Sequence, residues 1–125
     1  MITRTTDQAT QELGTTLRWK VSPLSMTKKA DPRLNRLLKD LSKEIAWGDR
    51  QNAAKKLGYL GNPDALPGLL TALQNDNFWM VRCAIIQALE RIGDTRSVPV
   101  LREIANQDSF QAVRSYAARA IERLL

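Results

Sequence analysis

One stretch of this chain is written nearly twice. Asp76-Asn77-Phe78-Trp79-Met80-Val81-Arg82 returns 32 residues later as Asp108-Ser109-Phe110-Gln111-Ala112-Val113-Arg114. The same step carries Gly61 to Gly93, Pro67 to Pro99, Leu57 to Leu89 to Ile121, and Leu60 to Ile92 to Leu124. Self-similarity at a fixed period of this size marks stacked supersecondary units, none of which can bury its apolar face alone.

Each unit carries two stripes of helical period. Leu34, Leu37, Leu38 and Leu41 recur as Leu66, Leu69, Leu70 and Leu73, and then as Val98, Leu101, Arg102 and Ala105. The second stripe reads Val81, Ile85, Ala88, Leu89 and Ile92 in the middle unit and Val113, Ala117, Ala120, Ile121 and Leu124 in the last. Local signals mark where the helices start and stop. Asp31-Pro32 suits a helix entry, and Pro67 and Pro99 lie in a first turn, where a missing amide hydrogen costs nothing. Asn62-Pro63-Asp64 and Asp94-Thr95-Arg96 are turns, and Gly93 suits a left-handed C-cap. In the first unit Asp49 stands for valine and Lys56 for the small alanine, as fits a unit without a neighbour on one side. No strand pattern competes. The expected fold is all-α: a solenoid of three helical hairpins over residues 31–61, 62–93 and 94–125, right-handed by analogy with such repeats.

Residues 1–30 read differently. Threonine recurs, and Gly14 and Pro23 interrupt any long element. Ala9, Leu13 and Leu17 allow one short amphipathic helix over residues 7–18. Two readings stay open for this N-terminal extension: a segment packed on the first unit or partly disordered, or an arm whose apolar residues belong to a partner.

Composition narrows the chemistry. The chain has no histidine, which removes histidine-based relays, histidine-ligated metals and the commonest general base. Cys83 is the only cysteine, so no intrachain disulfide can form, and a reducing, cytoplasmic setting is expected. There is no glycine-rich phosphate loop and no carboxylate cluster with metal-ligand spacing, so neither catalysis nor a cofactor or metal is expected. A formal charge of +6 favours acidic partners: nucleic acid, an anionic surface or an acidic protein. No apolar run reaches the length of a membrane span, and no signal peptide is read at the N-terminus.

The string Leu66-Pro67-Gly68-Leu69-Leu70, then Asp76, Val81-Arg82, Ala88-Leu89 and Ile92-Gly93, resembles the HEAT repeat. Val98-Pro99-Val100-Leu101, Asp108 and Val113-Arg114-Ser115-Tyr116-Ala117-Ala118-Arg119-Ala120-Ile121 resembles it more closely still. The short period is similar to that of the HEAT-like subclass named after phycobilisome lyases. The resemblance covers residues 31–125 and implies a ladder of acid and arginine linking adjacent units. Carried over residue by residue, it pairs Asp76 with Arg82 and Asp108 with Arg114, with Glu44 and Arg50 at the matching places of the first unit. These residues are read as structural.

In HEAT-like stacks the outward side of each second helix lines a concave surface. Here that side reads Gln51, Asn52, Lys55 and Tyr59; then Cys83, Ala84, Gln87 and Arg91; then Ser115, Tyr116, Arg119 and Arg123. Arginine and tyrosine are favoured at binding hot spots, although Glu90 and Glu122 dilute the charge and a solvated mixed face is the plainer reading. Trp47 and Trp79 open successive second helices, either as rim anchors or as core filler, and Phe78 and Phe110 beside them read as staple residues. The expectation is a non-catalytic adaptor binding a protein with an acidic surface through Lys55, Tyr59, Trp79, Gln87, Arg91, Tyr116, Arg119 and Arg123. The resemblance implies a phycobiliprotein or photosynthetic complex as partner. The rival readings are a subunit of a bilin lyase and a basic HEAT-like module on nucleic acid; the modest charge of the face argues against the latter.

Overall fold

The computed structural model describes residues 31–125, and residues 33–125 form one compact unit. The helix expected over residues 7–18, and the choice between a packed extension and a docking arm, lie outside the described residues. Six α-helices and no strand occur among the described residues: α1 (Pro32–Lys39), α2 (Trp47–Leu60), α3 (Leu66–Asn75), α4 (Trp79–Ile92), α5 (Val98–Gln107) and α6 (Gln111–Leu124). The protein is an all-α solenoid.

The stops and starts have local causes. Gly61 and Gly93 close α2 and α4 with φ of 65° and 76°, a left-handed conformation that costs glycine little and other residues more. The turns that follow are short 3₁₀ segments, Pro63–Ala65 and Thr95–Ser97. In each, a side-chain oxygen, from Asn62 or Asp94, accepts the amide hydrogen two residues on at 2.9 Å. Arg96 also grips the Asp94 carboxylate from its exposed side chain, which holds that carboxyl below its ordinary range.

The two stripes meet in one core. Leu57, Leu69, Leu89 and Leu101 are fully buried, and truncating any of them to alanine should cost about 2–5 kcal/mol. α4 packs against α2 before it and α6 after it, while α3 pairs with α4 and α5 with α6. The first unit is looser. An open cavity of about 400 Å³ is lined by Arg33, Arg36, Leu37 and Asp40 from α1 and the turn after it, and by Lys56, Tyr59 and Leu60 from α2. Arg102, which stands where the first two units have leucine, is exposed instead of continuing the stripe.

Candidate functional site: the outer side of the second helices

The ladder that joins the units runs one step further than the sequence pairing. Arg50 donates from Nε and Nη2 to the Asp76 carboxylate at 2.7 and 3.1 Å. Arg82 reaches Asp108 in the same way at 2.7 and 3.0 Å. Each fork therefore spans 26 residues and ties one unit to the next, and Asp76 is paired with Arg50 and not with Arg82. Within a unit the link is to the backbone: Arg82 Nη1 donates to the Asp76 carbonyl at 2.8 Å, and Arg114 Nη1 to the Asp108 carbonyl at 2.6 Å. In the first unit Arg50 Nη1 takes the Ile45 carbonyl, and Glu44 stays exposed beside Ser42.

Asp76 and Asp108 also accept the amide hydrogens of Phe78 and Phe110, both at 2.9 Å, where α4 and α6 begin. Their side chains are nearly buried, so the guanidinium and the amide together replace the lost water. The interval of 26 was present in the sequence. It was hidden because the six-residue interval within a unit uses the same residues.

The aromatic pairs follow the same rule. Trp47 packs on Phe78 with ring centroids 4.7 Å apart, and Trp79 stacks on Phe110 at 5.8 Å. Each tryptophan thus meets the phenylalanine of the next unit. Trp79 is half-buried and sits in the first turn of α4. The twelve residues from Trp79 to Arg91 cover about 18 Å of helix at 1.5 Å per residue. Trp79 therefore belongs to this stack and not to the basic cluster. Cys83 and Ala84, read as outward-facing, are buried, because α4 has neighbours on both sides. Burial pushes the Cys83 thiol up to about 11, so it stays protonated and unreactive near neutrality.

The remaining candidates do come together. Lys55, Tyr59, Gln87, Arg91, Arg119 and Arg123 are all exposed on α2, α4 and α6, and Tyr116 is half-buried. The Arg91 guanidinium lies over the Tyr59 ring at 4.6 Å, and that of Arg119 over Tyr116 at 5.1 Å. A cleft of about 110 Å³ between α2 and α4 has Ala84 and Ala88 as its floor and Lys55, Tyr59, Gln87 and Arg91 as its walls. Arg123 donates to Glu90 at 2.5 Å, which spends its charge within the face. No ion pair is formed by Lys55, Arg91 or Arg119 among the described residues.

Stacked helical hairpins, an inter-unit acid–arginine ladder and an exposed second-helix face define the class: an α-helical repeat protein. The family model of the HEAT repeats matches residues 30–122. The chain belongs to the HEAT repeat family, whose members generally serve as protein-interaction scaffolds and are typically non-catalytic. No curated protein matches the chain. Among the described residues, no helix is long and apolar enough to cross a membrane, and no group of acidic or cysteine side chains has the arrangement of a metal site.

Proposed function

We propose that this chain is a non-catalytic adaptor that binds an acidic surface of a protein partner along the outer side of α2, α4 and α6. The observation that carries this reading is the cleft at the α2–α4 junction. Arg91 is held over Tyr59 beside Lys55 and Gln87, and Arg119 continues the row on α6. An arginine stacked on tyrosine is partly ordered before binding, so less rotamer freedom is lost when a carboxylate arrives. The resemblance of the third unit to the short phycobilisome-lyase-type repeats supports a partner in that setting, a phycobiliprotein or a subunit of a photosynthetic complex. Residues 1–30 would serve as an added docking arm.

The test is a titration. A partner recovered by pull-down and mass spectrometry is measured against the native chain and against Arg91→Glu with Arg119→Glu. The double change should weaken binding by at least about 30-fold, the equivalent of 2 kcal/mol at a hot spot. The helical melting curve should not move, because neither residue lies on the apolar stripe. Arg36→Glu and Arg102→Glu should leave affinity within about twofold, since exposed charges off the interface contribute little. The reverse pattern would place the interface on the first helices. A labelled DNA duplex tests the nucleic-acid alternative. Three unpaired cations imply a salt slope of only about −3, so binding should be weak and gone near physiological salt. Tight duplex binding there would replace the protein partner with nucleic acid.

A further inference from the structure

The two junctions of the basic row differ in what they leave open. Between α2 and α4 the cleft of about 110 Å³ is lined by Lys55, Tyr59, Ala84, Gln87, Ala88 and Arg91, and no carboxylate is among them. One period on, Tyr116 stands in the place of Ala84, and Arg123 in that of Arg91. The larger Tyr116 side chain is half-buried, and Arg123 spends its charge on Glu90. The row therefore receives an anion at the α2–α4 junction in a way that its α4–α6 equivalent does not.

The polar groups around this cleft are uncommitted. The side chains of Lys55, Tyr59, Gln87 and Arg91 make no hydrogen bond among the described residues, and Lys55 and Arg91 make no ion pair. An ammonium, a guanidinium, an amide and a phenol supply many donors and two full positive charges; the only side-chain acceptors are the Gln87 and Tyr59 oxygens. Arg91 is held at both ends. Its guanidinium lies 4.6 Å from the Tyr59 ring centroid, and its stem fills the space that Gly58 leaves, where a methyl would lie 3.3 Å from Cδ.

The charge of the incoming group follows from this donor set. A carboxylate brings one negative charge, which leaves one of the two cations unbalanced. A phosphate monoester brings a charge of about −1.5 to −2 near neutrality and three acceptor oxygens, which two cations balance. The room suits one such group, since pockets for whole small molecules begin at about 300 Å³. Ala84 and Ala88 are buried at the floor and give an apolar seat to the carbon that carries the phosphate. Glu90 and Glu122 beside the row disfavour a nucleic-acid backbone or an anionic membrane, each of which presents many charges at once.

We propose that the acid seated in the α2–α4 cleft is a phosphoserine or phosphothreonine of the partner, so that the adaptor binds the phosphorylated form of that protein. The proposal rests on the adaptor reading and names the group that this cleft takes. Carboxylates of the partner meet Arg119 further along the row.

The experiment is an NMR titration of the full, isotope-labelled chain with a short capped peptide bearing one phosphoserine, with its glutamate and serine counterparts, and with inorganic phosphate. The phosphopeptide should shift the signals of Ala84, Gln87, Ala88 and Arg91. It should bind about 10-fold or more tightly than the glutamate peptide, the worth of one added charge-assisted hydrogen bond. Its affinity should rise as the pH passes upward through about 6, where the phosphate loses its second proton, while that of the glutamate peptide stays flat there. Lys55→Gln and Arg91→Gln should each weaken the phosphopeptide by about 10-fold. Arg102→Gln should change it by less than about twofold, and an unchanged circular-dichroism melt shows that the variants remain folded. Inorganic phosphate should bind at the same residues more weakly, because it lacks the carbon that meets the alanine floor. A phosphopeptide no tighter than the glutamate peptide, or indifferent to Lys55→Gln and Arg91→Gln, would overturn the proposal. So would tighter binding of a short single-stranded oligonucleotide or of vesicles containing phosphatidic acid. The recovered partner separates the two readings. If its binding depends on Arg91 and Arg119 but survives phosphatase treatment, the adaptor reading stands and the phosphate is overturned.

Discussion

Arg82 does three things at once. Its fork holds Asp108 of the next unit, its Nη1 holds the Asp76 carbonyl of its own, and its guanidinium lies 5.9 Å from the Phe110 ring. Removing it leaves a nearly buried carboxylate without its counter-charge. That is the costly way to break such a pair, because the remaining ion cannot recover its hydration. Arg82→Ala should therefore lower the unfolding free energy by about 3 kcal/mol. Arg114→Ala, which loses one hydrogen bond to a carbonyl, should cost only about 1 kcal/mol. Urea titrations of both variants check the order. Equal losses would mean that the carboxylate contact adds nothing to the backbone anchor.

At the scale of the element, two glycines set how closely helices approach, and they should respond differently to the same change. Alanine gains about 1 kcal/mol over glycine in a helix interior. At Gly58, in α2, the new methyl would stand 2.9 Å from the backbone of Ala88, so α2 and α4 must move apart. Overpacking of this kind costs about 1–3 kcal/mol, which outweighs the helical gain. At Gly68, in α3, the methyl would meet only the tip of Leu38, at 2.6 Å, and a leucine tip can rotate away. Gly58→Ala should lower the melting temperature, while Gly68→Ala should hold or raise it. A fall of equal size in both would show that Leu38 is as fixed as the backbone.

At the scale of the molecule, each unit is stabilised mainly by its neighbours, as in other one-dimensional stacks. The core cluster of the described residues runs from Leu34 to Ala120. Residues 31–125 expressed alone should therefore melt cooperatively, close to the full chain, and bind the adaptor's partner more weakly for want of the N-terminal arm. Loss of the cooperative transition would instead make residues 1–30 a capping element. The looser packing of α1 on α2 makes the first unit the place where opening begins, which amide hydrogen exchange would show as lower protection in α1 than in α4.

Whatever depends on a residue's near neighbours along the chain can be read without the fold. The two helices of each unit follow from the leucine stripes, their closures from Gly61 and Gly93, and their entries from Pro67 and Pro99. Lys55 with Tyr59, and Gln87 with Arg91, were legible as outward pairs because each is spaced by four residues on its helix, and the step of 32 makes one pair the equivalent of the other. The tertiary structure decided what depends on how far one unit rises and turns against the next. That offset sends Arg50 to Asp76 and Arg82 to Asp108, lays Trp79 on Phe110, and buries Cys83 and Ala84 under flanking helices. A period of 32 fixes which residues are equivalent, but not which equivalents touch, because contact across units is set by the packing of side chains between helices.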